Sequence, residues 1–241
     1  GQETFAGTIV HSRDYRSAAP FAGKRVLVVG MGNTGAEIAL DLAEHGVAVA
    51  LSVRSPVNIV YRDVLGRPTQ QTSLALARLP DALGDAVASL LRNLTVGDIG
   101  RWGLRRSRVS PLRDLRVHGR TPVIDVGTLA RIKSGEIGVY PGLRRLGADG
   151  AEFVDGRCAP FGAVVLATGY RSSVAALFAD AEVPVDGSGL PSVLAGSGPL
   201  ARAYFVGFDT RQPGGLLRTI AAQAIDVAVR ICDARAPAAA A

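Results

Sequence analysis

Gly30, Gly32 and Gly35 stand at the spacing G-x-G-x-x-G. The use of that spacing is to bring backbone N–H groups close to phosphate oxygens. The first glycine permits a tight turn, the second lets the backbone approach a pyrophosphate, and the third lets a helix pack closely on a strand. Asn33 and Thr34 add short polar side chains inside the same loop. If a helix begins here, its first turn supplies unpaired N–H groups and a partial positive charge. By itself the spacing is a weak signal, and the alternative is a glycine turn that only packs. A second pair, Arg54 and Ser55, lies about 20 residues further on, where an NAD-binding unit keeps Asp or Glu for the ribose hydroxyls. An arginine there offers a planar, charged fork to a 2′-phosphate, and no carboxylate repels that phosphate. The pair therefore points to NADP(H) over NAD(H), against the alternative of an exposed arginine at a strand end.

These residues act only if the right elements carry them. Residues 24–29 form a short apolar, β-branched run between Gly23 and Gly30, as expected of a buried parallel strand. Over 33–45 the apolar residues recur at helical spacing until Gly46, and 47–53 reads as a second strand. Strand, glycine loop, helix and strand make one βαβ unit, which is the context that gives the motif meaning. Helices are expected at 74–79 and 82–94, a basic connection at 97–119, and a helix at 125–133 capped by Asp125 and ended by Gly135. Strands at 138–140, 151–154 and 163–166 are expected to finish the sheet. A last strand at 203–207 and a helix at 216–232 close the chain.

Composition narrows the classes. No apolar run reaches the roughly 18 residues of a membrane helix, so neither a membrane partner nor a spanning segment is expected. Residues 1–20 lack a signal-peptide pattern. Cys158 and Cys232 fit neither a metal site nor a disulfide framework; they read as packing residues in a reducing, cytoplasmic setting. The net charge of +6 comes almost wholly from scattered arginines. Its one dense stretch is 101–120, with Arg105, Arg106, Arg108, Arg113, Arg116 and Arg120. A solvated face is the favoured reading of that stretch and contact with a cofactor phosphate the second. A nucleic-acid partner is not expected, since only Trp102 interleaves the arginines.

Phe5, Gly7, His11, Tyr15 and Arg16 complete an F-x-G-x-x-x-H-x-x-x-Y-[KR] pattern that resembles the linking motif of flavin-containing monooxygenases. Read from its type alone, His11 is more often a hydrogen-bonding histidine between domains than a catalytic one; the resemblance implies a structural or gating role. The likeness continues through 30–39, with its G-x-G-N-[ST]-G stretch, and through Ala167-Thr168-Gly169-Tyr170, similar to the family's A-T-G-Y. Gly119-Arg120-Thr121-Pro122-Val123-Ile124-Asp125-Val126-Gly127 and Tyr204-Phe205-Val206-Gly207-Phe208 resemble the plant YUCCA branch, the indole-3-pyruvate monooxygenases.

The resemblance implies an α/β, Rossmann-like two-dinucleotide-binding fold: an NADPH domain plus the C-terminal part of a split FAD domain. The expected divisions are a linker at 1–22, the NADPH domain at 23–165 with a helical insertion at about 56–120, the FAD-domain part at 166–233, and a disordered tail at 234–241. Ala167, Thr168, Gly169 and Gly207 join the expected cofactor contacts; for Gly207, a turn before the last helix is the open alternative. The family carries an earlier G-x-G-x-x-G for FAD, and nothing before Phe5 supplies it. Gly1 opens the chain and Met31 is its only methionine, so the expectation is a fragment whose N-terminal FAD-binding segment is missing. The implied activity is NADPH- and FAD-dependent monooxygenation, using O2, of a small-molecule substrate such as a 2-oxo acid, here by oxidative decarboxylation. A general N- or S-oxygenating or Baeyer–Villiger monooxygenase is the alternative enzyme, and a non-catalytic NADP-binding module the alternative for this chain alone. No catalytic side chain is assigned.

Overall fold

The computed structural model describes residues 1–64, 66–178 and 181–235; most of the expected tail, from 236 on, lies outside the described residues. Two compact units emerge, one of Gly1–Asp114 with Thr121–Gly169, the other of Leu115–Arg120 with the chain from Tyr170 onward.

The first unit is built on a five-stranded sheet whose neighbours are all parallel. Its strands are β1 (Thr8–His11), β2 (Arg25–Val29), β3 (Ala48–Ser52), β8 (Ile137–Tyr140) and β12 (Ala163–Leu166), in the order β1-β12-β2-β3-β8. Such a sheet needs both faces covered, and its strands are correspondingly apolar on both sides. On one face Val26, Val28, Val49, Leu51 and Val165 meet Ala36, Ile38, Ala39 and Leu42 of helix α1 (Asn33–Glu44) and Leu129 and Ile132 of α5 (Thr128–Lys133). The one-residue offset sends Leu27, Ala50 and Val164 to the other face.

That second face is covered by an antiparallel meander of β9 (Leu143–Gly147), β10 (Gly150–Phe153) and β11 (Cys158–Pro160). Leu146, Ala151, Phe153 and Phe161 make its core, with Tyr140 stacked on Phe153 at 4.3 Å. Here an expectation fails: the 151–154 strand does not finish the parallel sheet but belongs to this meander. The sheet takes its fifth strand instead from Thr8–His11, inside a segment read as irregular linker.

Between β3 and β8 the chain departs from the sheet. β4 (Ile59–Tyr61) pairs in parallel with β7 (Val123–Asp125), and β5 (Asp63–Val64) with β6 (Arg67–Pro68) makes a small hairpin. Helices α2 (Thr69–Leu76), α3 (Asp81–Val96) and α4 (Pro111–His118) fill the stretch expected to be an insertion. α4 lies where a connection was expected. Its start is local: Ser110 Oγ accepts from Arg113 N at 3.0 Å, and Pro111 occupies the first turn, where a missing N–H costs nothing. The helix expected at 125–133 begins only at Thr128, with Gly127 as its N-cap; Asp125 instead ends β7, from where its Oδ1 accepts from Leu129 N at 2.8 Å. Arg92 of α3 is only 6% exposed, and it donates to Asn58 Oδ1 and to the carbonyls of Ser107 (3.1 Å) and Val109 (3.3 Å). Burial first, then the Arg106 guanidinium, lower its pKa.

In the second unit, Val183, Leu200 and Phe205 form a small core, with Phe178 edge-on to Phe205 at 5.7 Å. The expected strand at 203–207 is reduced to one bridge, Ala195 to Tyr204. Two backbone bonds, Gly196 N to Ala203 O at 2.9 Å and Phe205 N to Leu194 O at 2.8 Å, are all that join it to 194–196, and propensity alone does not lengthen so short a pairing into a ladder. Helix α6 (Leu216–Arg235) leaves Leu217 82% and Ile225 69% exposed. Cys158 and Cys232 are exposed free thiols rather than packing residues. Among the described residues no helix is long and apolar enough to cross a membrane.

Candidate dinucleotide-binding site

The C-terminal ends of β2, β3 and β12 meet around the glycine loop, where open parallel sheets place their ligands. Gly30, directly after β2, has φ +107°, and its N–H donates to Ser52 O at 2.9 Å, which ties the loop to the end of β3. A β-carbon at Gly30 would come within 2.5 Å of the Ala167 carbonyl oxygen. One at Gly35 would come within 2.1 Å of the Gly30 carbonyl oxygen and 3.3 Å of the Ala167 β-carbon. These two glycines are thus required by the packing of loop, helix and β12. Gly32 differs: it is exposed, it precedes α1, and a β-carbon there would meet nothing within 4 Å. The loop therefore closes on itself at its first and third glycines and stays open at its second, the position at which a pyrophosphate would approach.

Asn33 does not extend toward that opening. Its Nδ2 donates to Pro122 O at 3.3 Å and its Oδ1 accepts from Ile124 N at 2.7 Å, so both ends of the amide are committed to the entry of β7. The side chain thus satisfies backbone groups 89 and 91 residues away, while Asn33 itself is the first residue of α1. Thr34, one residue on, is exposed at the opening.

Arg54 and Ser55 follow β3 and are both exposed. Space for the Arg54 stem comes from Gly142, where a β-carbon would stand 3.3 Å from both Cβ and Cγ of Arg54. The Arg54 main-chain carbonyl accepts a hydrogen bond from Arg105 Nη2. Neither Gly142 nor Arg105 stood out among the candidates. Gly142 carries no local motif, and Arg105 was one of several arginines in a basic stretch.

Ala167 joins the site through its backbone: its N–H donates to Val29 O at 2.9 Å, and its carbonyl faces Gly30. Thr168 and Gly169 (φ +94°) are exposed directly beyond it. Gly207 belongs to the second unit, where its N–H donates to Gln223 Oε1 at 2.9 Å.

The Phe5 to Tyr15 pattern resolves into packing and clasping. Phe5 is buried in the core beneath the meander, and His11 Nδ1 accepts from Arg13 N at 3.2 Å to start a short 3-10 turn. Tyr15 stacks on Phe21 at 5.6 Å and donates to Asp41 Oδ2 at 2.5 Å, fixing the first segment to α1. Burial and the Asp41 carboxylate raise the Tyr15 pKa.

Comparison with known proteins identifies the family. The family described as flavin-binding monooxygenase-like matches residues 1–185. Indole-3-pyruvate monooxygenase YUCCA1 of Oryza sativa subsp. japonica is 40% identical over 231 residues, 95% of this chain and 56% of the relative. Indole-3-pyruvate monooxygenase YUCCA8 of Oryza sativa subsp. indica is 44% identical over 175 residues, 72% of this chain and 42% of the relative. The chain thus spans about half the length of the curated relatives it matches. Among solved structures, a flavin-containing monooxygenase from Stenotrophomonas maltophilia superposes with a TM-score of 0.58 at 21% identity, covering 96% of this chain and 57% of that one. Cyclohexanone monooxygenase from Rhodococcus sp. Phi1, in a structure bound to NADP+, gives 0.53 at 18% identity over 70% of this chain and 43% of that one. At these identities the two structures speak to the fold alone.

Proposed function

Because the chain belongs to the flavin-binding monooxygenase-like family, we propose that its first unit binds NADPH for a flavin-dependent monooxygenase that oxygenates a small organic substrate with O2. The observation that carries this reading is the loop closed at Gly30 and Gly35 and open at Gly32, with Arg54 and Ser55 exposed at the end of the adjoining strand. When bound, NADPH and FAD supply the hydride and the oxygen-activating chemistry. The chain's own residues bind and orient. The N-terminus of α1 presents N–H groups and a partial positive charge to the pyrophosphate, with Thr34 beside it. Arg54 and Ser55 take the adenosine 2′-phosphate, Ala167 shapes the wall of the loop, and Thr168 and Gly169 border the opening. Asn33 keeps the start of α1 in place.

The chain from Tyr170 onward we assign to the FAD-binding half of the parent enzyme, with the Gly214-Gly215 turn opening α6. There the Gly207 N–H donates to Gln223 Oε1, and Gly207, at φ +88°, shapes its own turn ahead of α6. The likeness to the two YUCCA proteins favours a 2-oxo acid substrate of the indole-3-pyruvate kind, with oxidative decarboxylation consuming NADPH and O2 and releasing CO2. Two exposed free thiols suit a reducing, cytoplasmic setting.

Calorimetric titration of the chain with NADP+ and NAD+ tests the binding claim. Arg54→Ala should lower the preference for NADP+ by about ten- to a hundredfold, the worth of a charge-assisted contact of about 1.5–3 kcal/mol; an unchanged preference sinks the assignment. For the reaction, the intact gene product supplied with NADPH and O2 should convert indole-3-pyruvate to indole-3-acetate. A protein that instead oxygenates only a sulfide or a ketone refutes the substrate class.

A further inference from the structure

Of the seven arginines in the basic stretch from 101 to 120, Arg105 stands out by where it reaches. Its guanidinium lies against the main chain of Arg54, donating from Nη2 to the Arg54 carbonyl, and its side chain is exposed. That bond goes to a neutral acceptor and leaves the positive charge uncompensated. Among the described residues no carboxylate pairs with Arg54 or Arg105, whereas Arg131, Arg144, Arg145 and Arg157 all pair with Asp or Glu.

The backbone around Arg105 is fixed with unusual care for a connection. Val57 N donates to Arg105 O at 2.8 Å and Ser107 N donates to Val57 O at 3.0 Å, so residues 105–107 run in parallel beside the chain just after Arg54. From within the insertion, buried Arg92 holds the carbonyls of Ser107 and Val109. Two cations are thus brought to one strand end by a framework that restricts their withdrawal. Like charges so placed repel, and a dianion between them reverses the sign of that interaction.

Building on the reading of Arg54 and Ser55 given above, we infer that Arg105 is a second guanidinium of the 2′-phosphate site, so that the helical insertion, and not the βαβ unit alone, determines the choice of NADP(H). The backbone bond from Nη2 orients the fork and leaves its remaining N–H groups for the phosphate oxygens.

The test is titration of the full 241-residue chain with NADP+ and with NAD+, on the unaltered protein, Arg54→Ala, Arg105→Ala and Arg105→Gln. Expected is a loss of NADP+ affinity of about tenfold or more in both Arg105 variants with NAD+ affinity unchanged. Thermal unfolding checks that each variant is folded. Arg105→Gln serves if Arg105→Ala is not, since its amide still offers a donor toward the Arg54 carbonyl. If Arg54→Ala loses the preference and the Arg105 variants keep it, the inference is overturned while the site assignment stands. If the Arg105 variants weaken NADP+ and NAD+ alike, Arg105 is a structural prop and the inference is again overturned. If Arg54→Ala also leaves the preference intact, the site assignment itself fails.

Discussion

Gly32 and Gly35 answer to different demands, and single methyl groups separate them. Gly35→Ala drives a β-carbon against the Gly30 carbonyl; it should cost about 1–3 kcal/mol of stability and disorder the loop. Gly32→Ala meets open space in a conformation any residue adopts. Its stability should stay within about 0.5 kcal/mol, while NADP+ affinity falls tenfold or more because the methyl stands where the pyrophosphate must approach. Urea unfolding and calorimetry on both variants check this; equal stability losses would show that Gly32 is also a packing glycine. Tyr15 makes a prediction about pH. Its pKa is raised by burial and by Asp41, so the folded state holds the phenolic proton after the unfolded chain releases it near pH 10. The stabilisation is complete below that pH and is lost as pH rises above it. Tyr15→Phe should therefore flatten the fall in stability as pH rises above about 10; identical slopes for the two proteins there would remove Tyr15 as its source.

At the scale of elements, the β2-α1-β3 unit was legible because each of its parts has a local cause: a β-branched run, helical spacing, and glycines at both turns. Elements whose cause lies elsewhere were not. β9 reads Leu-Arg-Arg-Leu-Gly, and its exposed Arg144 and Arg145, paired with Glu152 of β10, hide a strand that exists because a sheet face needs cover. β1 is specified by the open edge of β12, whereas 203–207 meets only the short segment 194–196 and stays a single bridge. Within the proposed site the glycines and Arg54 could be read from spacing, whereas the bond from Arg105 to Arg54 and the amide contacts of Asn33 depend on atoms tens of residues away. Asn33→Ala should expose the consequence. Losing both amide bonds leaves Ile124 N unpaired, which should lower stability by about 1–3 kcal/mol. It should also weaken NADP+ and NAD+ by equal factors, since the phosphate cradle loosens without losing a charge. A selective loss of NADP+ would contradict the positioning role.

For the whole molecule, two units imply separable responses. Amide hydrogen exchange with and without NADP+ should show protection at 30–36, 52–57 and 104–107, all in the first unit, and none in α6 (Leu216–Arg235). Protection extending through α6 would mean that NADP+ engages both units. The family match runs from residue 1 to 185, across the division after Gly169, so the likeness is not confined to the unit that carries the nucleotide loop.

The single direction of the five central strands also has a practical side. Every loop at the nucleotide site leaves the C-terminal end of a strand, so the chain re-enters the sheet at the opposite edge. There Gly46 and Gly135 are exposed, with nothing within 4 Å of where a side chain would begin. A fluorescent gauge built on the proposed NADP+ site would carry its reporter at those two re-entry points, where added sequence lengthens a turn and leaves the glycine-loop edge untouched.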